Sequence, residues 1–492
     1  MDVTKQTFQR AQREFKDSIL QCDFVAMDME MTGLYETKQL TPNRQDTKDE
    51  RYAKLKRGVE AYGVAQVGIC LFTWVESKDP SDGCGYYEAK SFNFNVFPAT
   101  SIGGVPVDDS FMCKNTALEF LSRSSFDFNK WIYNGIPYLR TEDADRMKAE
   151  RASLLTNKRP PIEIDGRHET FVKDLERGLA VFLKSRNKVM KCDTANSYQR
   201  KIIYEVVSKH ATLGARSRMG EMEIFKGSKK AVAHHNSEKV RKLVSNIEEA
   251  RGFSTIIEAL SSARKPVIGH NMPLDVMHAY SKFFRKLPES RVEFEHEMQR
   301  FLPVLIDTKY IIESTPAIKA KYGTSSLEEI APMLEREATS MSDGSRQLIR
   351  HHAKFTREAT STMHEAGYDA YTTGATFIRL LKLEGGLNLS SITSSCESSS
   401  ELVLYRYINK LYQALGTELY WHFGASENGR SGSESTSSTS HRATEAVTSE
   451  HLSELETELE DDVVQDVCEE GFETMSIGSN DTSQKISCTQ SA

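Results

Sequence analysis

A short apolar run that ends in two carboxylates constrains the fold of this chain more than any other feature. Residues 23–27 (DFVAM) are typical of a buried strand, and Asp28 and Glu30 follow directly. Side chains two positions apart point to the same face of a strand, so both carboxylates can bind one divalent cation. The same Asp-x-Glu spacing recurs at Asp174 and Glu176, but there it lies within a predicted helix. The strand end therefore marks the first pair as the candidate site.

Two further acidic segments complete this candidate site. Asp275 follows the predicted strand KPVIGH and lies in the first turn of a helix that Pro273 favours. Asp369 begins the last strongly predicted helix, and His364 precedes it by five positions. We expect Gly367 to interrupt any helix between them, so that the side chains of His364 and Asp369 can converge.

Four acids in the order Asp, Glu, Asp, Asp, with one histidine near the last, suit one kind of chemistry. Two hard divalent cations need several carboxylate oxygens as ligands. Such a pair of cations stabilises the attacking and leaving oxygens of a phosphoryl displacement. A histidine that is neutral near pH 7 can take the proton from the attacking water. The pattern therefore predicts a metal-dependent hydrolase of phosphate esters.

Predicted strands and helices are found in both halves of the chain. Residues 64–72 and 91–97 are predicted strands, and residues 370–383 are a predicted helix. From about residue 185 to 242 the chain becomes rich in Arg, Lys and His. We therefore predict one mixed α/β domain interrupted by an inserted module. After residue 423 the chain is rich in Ser, Thr, Gly and Glu, which predicts disorder.

These motifs resemble the poly(A)-specific ribonuclease family, within the CAF1 superfamily of DEDDh 3′→5′ exonucleases. The resemblance rests on FVAMDMEMTGL, GFSTIIEALSSARKPVIGHNMPLDVMH, LIDTKYI and HEAGYDAYTTG, and it covers most of residues 1–385. It implies a ribonuclease-H-like α/β fold with a mixed sheet, and two Mg²⁺ ions held by four carboxylates beside one general base. The implied ligands are Asp28, Glu30, Asp275 and Asp369, and the implied base is His364.

The resemblance also implies four regions along the chain. They are the first half of the nuclease (1–158), an inserted R-three-H-like, small α/β module that binds single-stranded nucleic acid (159–242), the second half of the nuclease with a C-terminal helix (243–422), and a disordered acidic tail (423–492). The segment LVLYRYINKLYQALG resembles the helix that follows the nuclease.

Substrate contacts are implied in both modules, each with a structural alternative. Met31 and Leu34 match family positions that pack on the terminal nucleotides, and plain core packing is the alternative. In the insert, basic side chains can neutralise phosphates or can form a solvated face. The basic candidates are Arg200, Lys201, Lys229 and Lys230. Tyr198 and Tyr204 can stack on bases or can pack in the core of the insert.

Two other residues near the motifs are expected to be structural. Asp307, in LIDT, is expected to cap a turn or a helix start and not to be a ligand. His270 precedes Asp275 by five positions, the same spacing as the candidate base, and is expected to orient the loop. The family resemblance favours His364 as the base.

The resemblance implies an enzyme that removes nucleotides one by one from an RNA 3′ end and releases 5′-mononucleotides. Its substrate is either poly(A) tails or the 3′ extensions of small RNAs such as piRNA precursors. The second substrate is implied because no aromatic ribonucleoprotein pattern follows the nuclease segments, and a related branch of the family that trims small RNAs lacks this motif. A catalytically inactive RNA-binding protein and a DNA exonuclease are the alternatives. The family also implies a homodimer.

The net charge of −7 is unevenly distributed along the chain. The last 68 residues carry 15 acids and 3 bases (net −12), which leaves 55 acids and 60 bases (net +5) for the body. A basic body is compatible with RNA, and the acidic tail is a candidate docking segment for a basic protein. We expect no secretory signal, because the first residues are polar and charged, and no membrane span, because no apolar run is long enough. The eight cysteines never fall at CxxC spacing, and we expect no disulfide. The expected location is the cytoplasm, with the nucleus as a second location.

Overall fold

The first candidate acids lie on a central strand of a mixed sheet in this computed structural model of the 492-residue chain. The structure describes residues 1–76, 85–107, 109–153, 164–194, 196–218, 221–340, 349–355, 364–383, 406–413 and 420–423. All of these residues belong to the first of two compact units, Met1–Ser431.

Strands dominate the part of the chain before the insert. Its elements are β1 (Asp2–Val3), α1 (Phe8–Ile19), β2 (Phe24–Met31), α2 (Lys48–Ala61), β3 (Val64–Glu76), β4 (Gly85–Pro98), β5 (Ser101–Ile102), β6 (Val105–Pro106), α3 (Asn115–Arg123), α4 (Phe128–Asn134), β7 (Ile136–Tyr138) and α5 (Thr141–Ala152). The inserted region follows with α6 (Glu169–Lys184), β8 (Val189–Cys192), α7 (Ser197–Ser208), β9 (Leu213–Arg218), β10 (Glu221–Lys226) and α8 (Lys229–Arg251).

Helices dominate the remainder of the described chain. Its elements are α9 (Ser254–Ala263), β11 (Val267–Gly269), α10 (Pro273–His278), α11 (Arg291–Phe301), β12 (Leu305–Asp307), α12 (Thr308–Ser314), α13 (Pro316–Tyr322), α14 (Leu327–Ser340), β13 (Ile349–His351), α15 (Ala366–Leu383), β14 (Lys410–Tyr412) and β15 (Tyr420–His422). α10 continues as a π-helical turn over Ala279–Phe284. Within the described ranges, no helix combines the length and the apolar character that crossing a bilayer requires.

Eight of the strands form one mixed sheet. Its central path is β1-β4-β3-β2-β11-β12, and β7 and β13 also pair with β4. β2, β3 and β4 are antiparallel neighbours, whereas β11 and β12 run parallel to β2. Because β2 and β11 are parallel, residues at their carboxyl ends meet at the same edge of the sheet.

Both faces of β2 are covered, and its side chains alternate between two cores. Val25 and Met29 belong to the core on one face, and Phe24 and Ala26 belong to the core on the other. α15 covers the second face, where the ring of Phe377 packs edge to face on Phe24 with 5.3 Å between centroids. The predicted fold class, an α/β ribonuclease-H-like domain with a mixed sheet, is confirmed.

The last predicted helix begins earlier than the sequence pattern indicates. It was expected over residues 370–383 and spans Ala366–Leu383, so Gly367 lies in its first turn. The prediction that Gly367 interrupts a helix between His364 and Asp369 is therefore wrong. The chain turns at His364 itself, whose backbone is left-handed with φ of 68°.

The C-terminal helix expected over residues 402–416 is absent from the described part of that segment. Lys410–Tyr412 is strand β14, which pairs in antiparallel fashion with β15. The backbone of Asn409 is left-handed (φ 57°), a conformation that does not continue a right-handed helix. Asn409 docks the hairpin beside β12: its N–H donates to the carbonyl oxygen of Leu305 (2.7 Å), and its Oδ1 accepts from the Leu305 N–H (2.9 Å).

The inserted region has its own sheet and its own core. β8, β10 and β9, in this spatial order, form an antiparallel sheet. Leu179, Ile202 and Ile224 belong to a core separate from the two that flank the main sheet. α8 runs across the predicted boundary at residue 242. The limits of the four predicted regions stay predictions. The predicted acidic tail lies outside the described residues, apart from Phe423.

Candidate active site

Asp28 and Glu30 lie on the face of β2 that α15 covers. They continue the alternation of Phe24 and Ala26 along the strand. Across the ladder, Asp28 pairs with Gly68 of β3. The two predicted carboxylates are therefore on one face of a strand, close to where β2 ends.

Because β11 is short, the helix that follows it can bring the third carboxylate close to the end of β2. β11 pairs with β2 only at Val25 and Ala26. Further along β2, the backbone N–H of Met29 lies close enough to the Asp275 carboxylate to lower its pKa, against the larger effect of burial. Asp275 lies in the first turn of α10, which Pro273 begins, and its side chain is buried. Burial raises the pKa of Asp275 to about 8.

The start of α15 supplies the fourth carboxylate and the histidine. Oδ2 of Asp369 accepts a hydrogen bond from the backbone N–H of His364 (2.9 Å). Oδ1 of Asp369 is buried and has no hydrogen-bond partner among the described residues. Burial raises the pKa of Asp369 to about 7. Because a buried acceptor without a partner is costly, this oxygen is a natural ligand for a cation.

Two glycines let the start of α15 lie directly on the sheet. A Cβ at Gly68 would stand 1.8 Å from the carbonyl oxygen of Ala366, and a Cβ at Gly367 would stand 2.7 Å from the Cβ of Asn93. The Gly367 N–H donates to Oδ1 of Asn93 (3.1 Å), and Oγ of Ser91 donates to the Gly367 carbonyl (2.6 Å). Sequence reasoning missed these supports; its only signal was a glycine inside the predicted strand 64–72, which is typical of a close backbone approach.

All five predicted residues converge at this edge of the sheet. One ligand atom each of Glu30, His364 and Asp369 lies within 4.8 Å of the others. The pKa of Asp28 is raised well above its usual range, first by burial and then by the negative charges of Asp275, Asp369 and Glu30. Like charges held together without water favour protonation unless a cation neutralises them. Four carboxylates and one imidazole form a donor set that fits a hard divalent cation.

An aromatic ring that sequence reasoning missed lies against the candidate base. Phe120, on α3, contacts the imidazole of His364 edge to face, with 4.5 Å between centroids. Its side chain is 46% exposed. The contact joins distant segments of the chain, so no local pattern could have indicated it. Phe120 thus restricts the orientation of the His364 ring and leaves an apolar surface beside it.

The two predicted nucleotide contacts of the nuclease differ in burial. Met31 is half-buried and packs against a core of the main sheet, as the core-packing alternative predicts. Leu34 is 45% exposed. Between them, Oγ1 of the buried Thr32 donates to the carbonyl oxygen of Met112 (2.7 Å), which fixes this segment against the chain that leads to α3. Leu34 is therefore the better placed of the two for contact with a ligand.

The four predicted phosphate-binding residues of the insert are exposed: Arg200 and Lys201 on α7, and Lys229 and Lys230 at the start of α8. They lie with the separate three-stranded sheet and not with the carboxylates. Tyr198 and Tyr204 are half-buried against the core of the insert. The ammonium of Lys239 lies 3.6 Å from the centroid of the Tyr204 ring. For Tyr204 the packing alternative therefore agrees better with the structure than base stacking does.

Comparison with known proteins identifies the family. A model described as CAF1 family ribonuclease matches residues 3–377, which is most of the chain. The chain belongs to the CAF1 family of ribonucleases. The predicted family, its ribonuclease-H-like fold class and the prediction of a ribonuclease enzyme are confirmed by this match. The individual roles of the site residues stay predictions.

Curated relatives of this CAF1-family chain fall into two groups by name. It is 30% identical over 436 residues to the poly(A)-specific ribonuclease PARN of Xenopus laevis, with 84% of this chain and 67% of that protein covered. It is 27% identical to the poly(A)-specific ribonuclease PNLDC1 of Mus musculus (78% and 71% covered). It is 26% identical to the pre-piRNA 3′-exonuclease trimmer of Bombyx mori (77% and 71% covered). The chain thus spans about two thirds of the length of these relatives.

Proposed function

We propose that this chain is a divalent-cation-dependent 3′→5′ exoribonuclease that removes nucleotides one at a time from single-stranded RNA and releases 5′-mononucleotides. The observation that carries the proposal is the convergence of four carboxylates and one histidine where β2 and β11 end. The names of the relatives support an RNA 3′ end as the substrate.

Two Mg²⁺ ions are the cofactor that we propose for this site. Asp28, Glu30, Asp275 and Asp369 would hold them, and the unpartnered Oδ1 of Asp369 supports this assignment. Bound divalent cations supply charge stabilisation for the attacking and leaving oxygens of a phosphoryl displacement. The four carboxylates must be ionised to bind them, although their surroundings favour the protonated form in the free protein.

His364 is the proposed general base. Its backbone N–H is tied to Asp369 and its ring is restricted by Phe120, so the imidazole is held beside the carboxylates. A neutral imidazole can accept the proton of an attacking water. Phe120 and Leu34 present exposed apolar surfaces on which the faces of the terminal bases can lie.

Poly(A) tails are the substrate that we propose first, because the relatives with the higher identities are poly(A)-specific ribonucleases by name. Trimming of small-RNA 3′ extensions, such as those of piRNA precursors, is the second candidate. One observation favours it: the exposed side chains of Leu34 and Phe120 are apolar, and apolar contacts with the faces of bases tolerate every base.

The decisive experiment uses the full chain with Mg²⁺ and labelled single-stranded RNAs that end in adenosine runs or in mixed sequence. The parent is compared with Asp28→Asn and His364→Ala. Asp174→Asn is the matched control, because Asp174 has the same Asp-x-Glu spacing but lies exposed on α6. We expect stepwise shortening from the 3′ end by the parent and the control, and none by the two site variants.

The outcomes separate the two candidate substrates. Shortening of adenosine runs alone supports poly(A) tails as the substrate, whereas equal shortening of all 3′ ends supports general trimming. RNA binding without shortening by the parent would sink the proposed exonuclease chemistry. Shortening that persists in Asp28→Asn would refute the proposed site.

A partner, an oligomeric state and a location are also proposed for this chain. We propose a homodimer, to be tested by light scattering, and a basic protein partner for the acidic tail, to be tested by comparing pull-downs of the full chain and a chain ending at residue 424. We propose the cytoplasm, with the nucleus as a second location, to be tested by microscopy of the tagged chain. The described cysteines Cys22, Cys70, Cys113 and Cys192 are free thiols.

A further inference from the structure

Asp307 is a buried carboxylate that the proposed chemistry does not use. It ends β12, its side chain is inaccessible to solvent, and it pairs in register with Gly269 at the end of β11. The prediction that it caps a helix agrees with the structure, since its Oδ1 accepts the N–H of Lys309 (3.0 Å) at the start of α12. A cap of this kind needs only one hydrogen bond to one carboxylate oxygen, and Asp307 accepts several more.

Three other backbone N–H groups donate to the same carboxylate. Oδ1 also accepts from Asn271 (2.8 Å), and Oδ2 accepts from Met272 (3.2 Å). Oδ2 accepts in addition from Tyr412 (3.0 Å), which belongs to the C-terminal hairpin. An ionised carboxylate is an acceptor only, so two donors on each oxygen match its capacity. An amide in its place would turn an NH₂ group toward two of these N–H donors.

Asn271 and Met272, whose N–H groups are two of these donors, lie in the turn that connects β11 with α10. Asn271 holds a left-handed backbone (φ 57°), a conformation that needs support from its surroundings. Oγ1 of Thr308 donates to the Gly269 carbonyl (3.0 Å) and so holds the other end of the turn. Asp275 comes three residues after Met272, in the first turn of the helix that begins there.

We propose that Asp307 is a positioning residue for the cation site: it fixes the Asn271–Met272 turn and thereby places Asp275. The β14 strand supports the same carboxylate through the N–H of Tyr412. Asp307 acts on Asp275 through the backbone of the turn, and its negative charge also raises the pKa of Asp275. This inference rests on the proposed function in so far as Asp275 binds a divalent cation.

Supports one step behind a metal ligand are worth about 10- to 100-fold in metal affinity. We therefore expect Asp307→Asn, which keeps the side-chain volume, to raise the dissociation constant for Mn²⁺ about tenfold. The KM for RNA should change little, because Asp307 is buried away from solvent. Excess Mn²⁺ should restore most of the kcat of Asp307→Asn. Asp275→Asn, which lacks a ligand oxygen, should not be rescued in this way.

The test titrates the full chain with Mn²⁺ and follows binding by calorimetry, without RNA. The matched control is Asp23→Asn, because Oδ2 of Asp23 also accepts a backbone N–H (from Trp74, 2.6 Å) but at the opposite end of β2. A purely structural role would lower the Tm of both variants and leave the dissociation constant of each at the parental value. Tenfold weaker Mn²⁺ binding by Asp307→Asn alone is the expected result.

A second variant keeps the test decisive if Asp307→Asn does not fold. Tyr412→Pro removes one of the four N–H donors and leaves the carboxylate, so we expect about a threefold rise in the dissociation constant. Parental Mn²⁺ affinity in the folded variants would overturn the role of Asp307. Mn²⁺ binding by the parent without RNA shortening would instead refute the proposed activity, and the comparison of dissociation constants would still decide the role of Asp307. No Mn²⁺ binding by the parent would overturn both.

Discussion

Two pairs of acids in this chain share one spacing and have opposite surroundings. Asp28 and Glu30 lie on β2, and the pKa of each is raised well above its usual range, with burial as the largest cause. Asp174 and Glu176 lie on α6 with both side chains exposed, while Leu175 between them is buried in the core of the insert. Asp174 forms an ion pair with Arg177 on the same helix.

The comparison shows that the spacing of acids has no chemical meaning until the secondary structure is known. On a strand, residues two apart share a face, whereas on a helix they do not face each other. The strand pair is brought under α15 and meets two further acids there. The helix pair straddles a core residue, so its charges point to water.

The largest expected difference between the two pairs is catalytic. Asp28→Asn should reduce the rate of RNA shortening about 1,000-fold or more, since it removes a ligand worth several kcal/mol of charge stabilisation. Asp174→Asn should leave the rate within about twofold of the parent. Single-turnover assays at saturating RNA measure both. Equal losses of rate in the two variants would contradict a catalytic role for the strand pair alone.

The next largest effect concerns the glycine beside each pair. Gly68→Ala should destabilise the chain by about 3 kcal/mol, because its Cβ would meet the Ala366 carbonyl at 1.8 Å and must displace the start of α15. Gly178, on α6, is the control: its Cβ would meet only the sulfur of Met190, at 3.9 Å. Gly178→Ala should stabilise the chain by about 0.5–1 kcal/mol, since alanine is the better helix former. Urea unfolding measures both changes.

A third difference is in the response to cations and pH. The raised pKa values of Asp275 (about 8) and Asp369 (about 7) mean that the folded chain binds more protons than the unfolded chain between about pH 4 and pH 8. Without cations, this contribution to stability therefore falls as pH rises through that window. Divalent cations compete with these protons, so their affinity should rise with pH over the same range.

Thermal unfolding with and without Mn²⁺ at pH 6 and pH 8 tests this expectation. The stabilisation should approach about 2.7 kcal/mol when Mn²⁺ is present at 100 times its dissociation constant. The rise in Tm at a fixed Mn²⁺ concentration should be larger at pH 8. Asp28→Asn should lose most of the rise, and Asp174→Asn should keep it. A rise that is independent of pH would argue against protonated carboxylates in the free protein.

The smallest expected effect is in the stability of the helix pair. Asp174→Asn should change the free energy of unfolding by less than about 0.5 kcal/mol, because exposed ion pairs contribute little and are screened by salt. Glu176→Gln should do the same. Urea unfolding at low and high salt provides the measurement. A loss above 1 kcal/mol would mean that the insert uses this face for a contact inside the protein.

Local patterns were sufficient for the elements that carry the five predicted site residues. β2, β3, β11 and α15 each have a periodicity or a run of apolar residues that is visible in a few positions. The acids were identified because each follows such a run or begins such a helix. Chemistry then grouped them, since a divalent cation requires several oxygens from separate segments.

Contacts between distant segments could not be predicted in this way. The left-handed turn at His364 replaces the helix break expected at Gly367, and the start of α15 that follows it is held by Asn93 and Ser91 of β4. The hairpin at Lys410–Tyr412 replaces an expected helix because its polar groups are satisfied by β12. The four donors on Asp307 come from three segments of the chain. In each case the tertiary partner determines the local conformation, and no window of sequence contains that partner.

The docking of Asn409 on β12 has a consequence for self-association. β12 is the last strand on its side of the main sheet, and a bare outer strand is a template on which another chain can pair. At Leu305 both backbone hydrogen-bonding groups on that side are taken by Asn409, one through its main chain and one through its side chain. A single asparagine thus satisfies the two groups of Leu305 that a neighbouring strand would otherwise bind, and it blocks the addition of another strand at this residue.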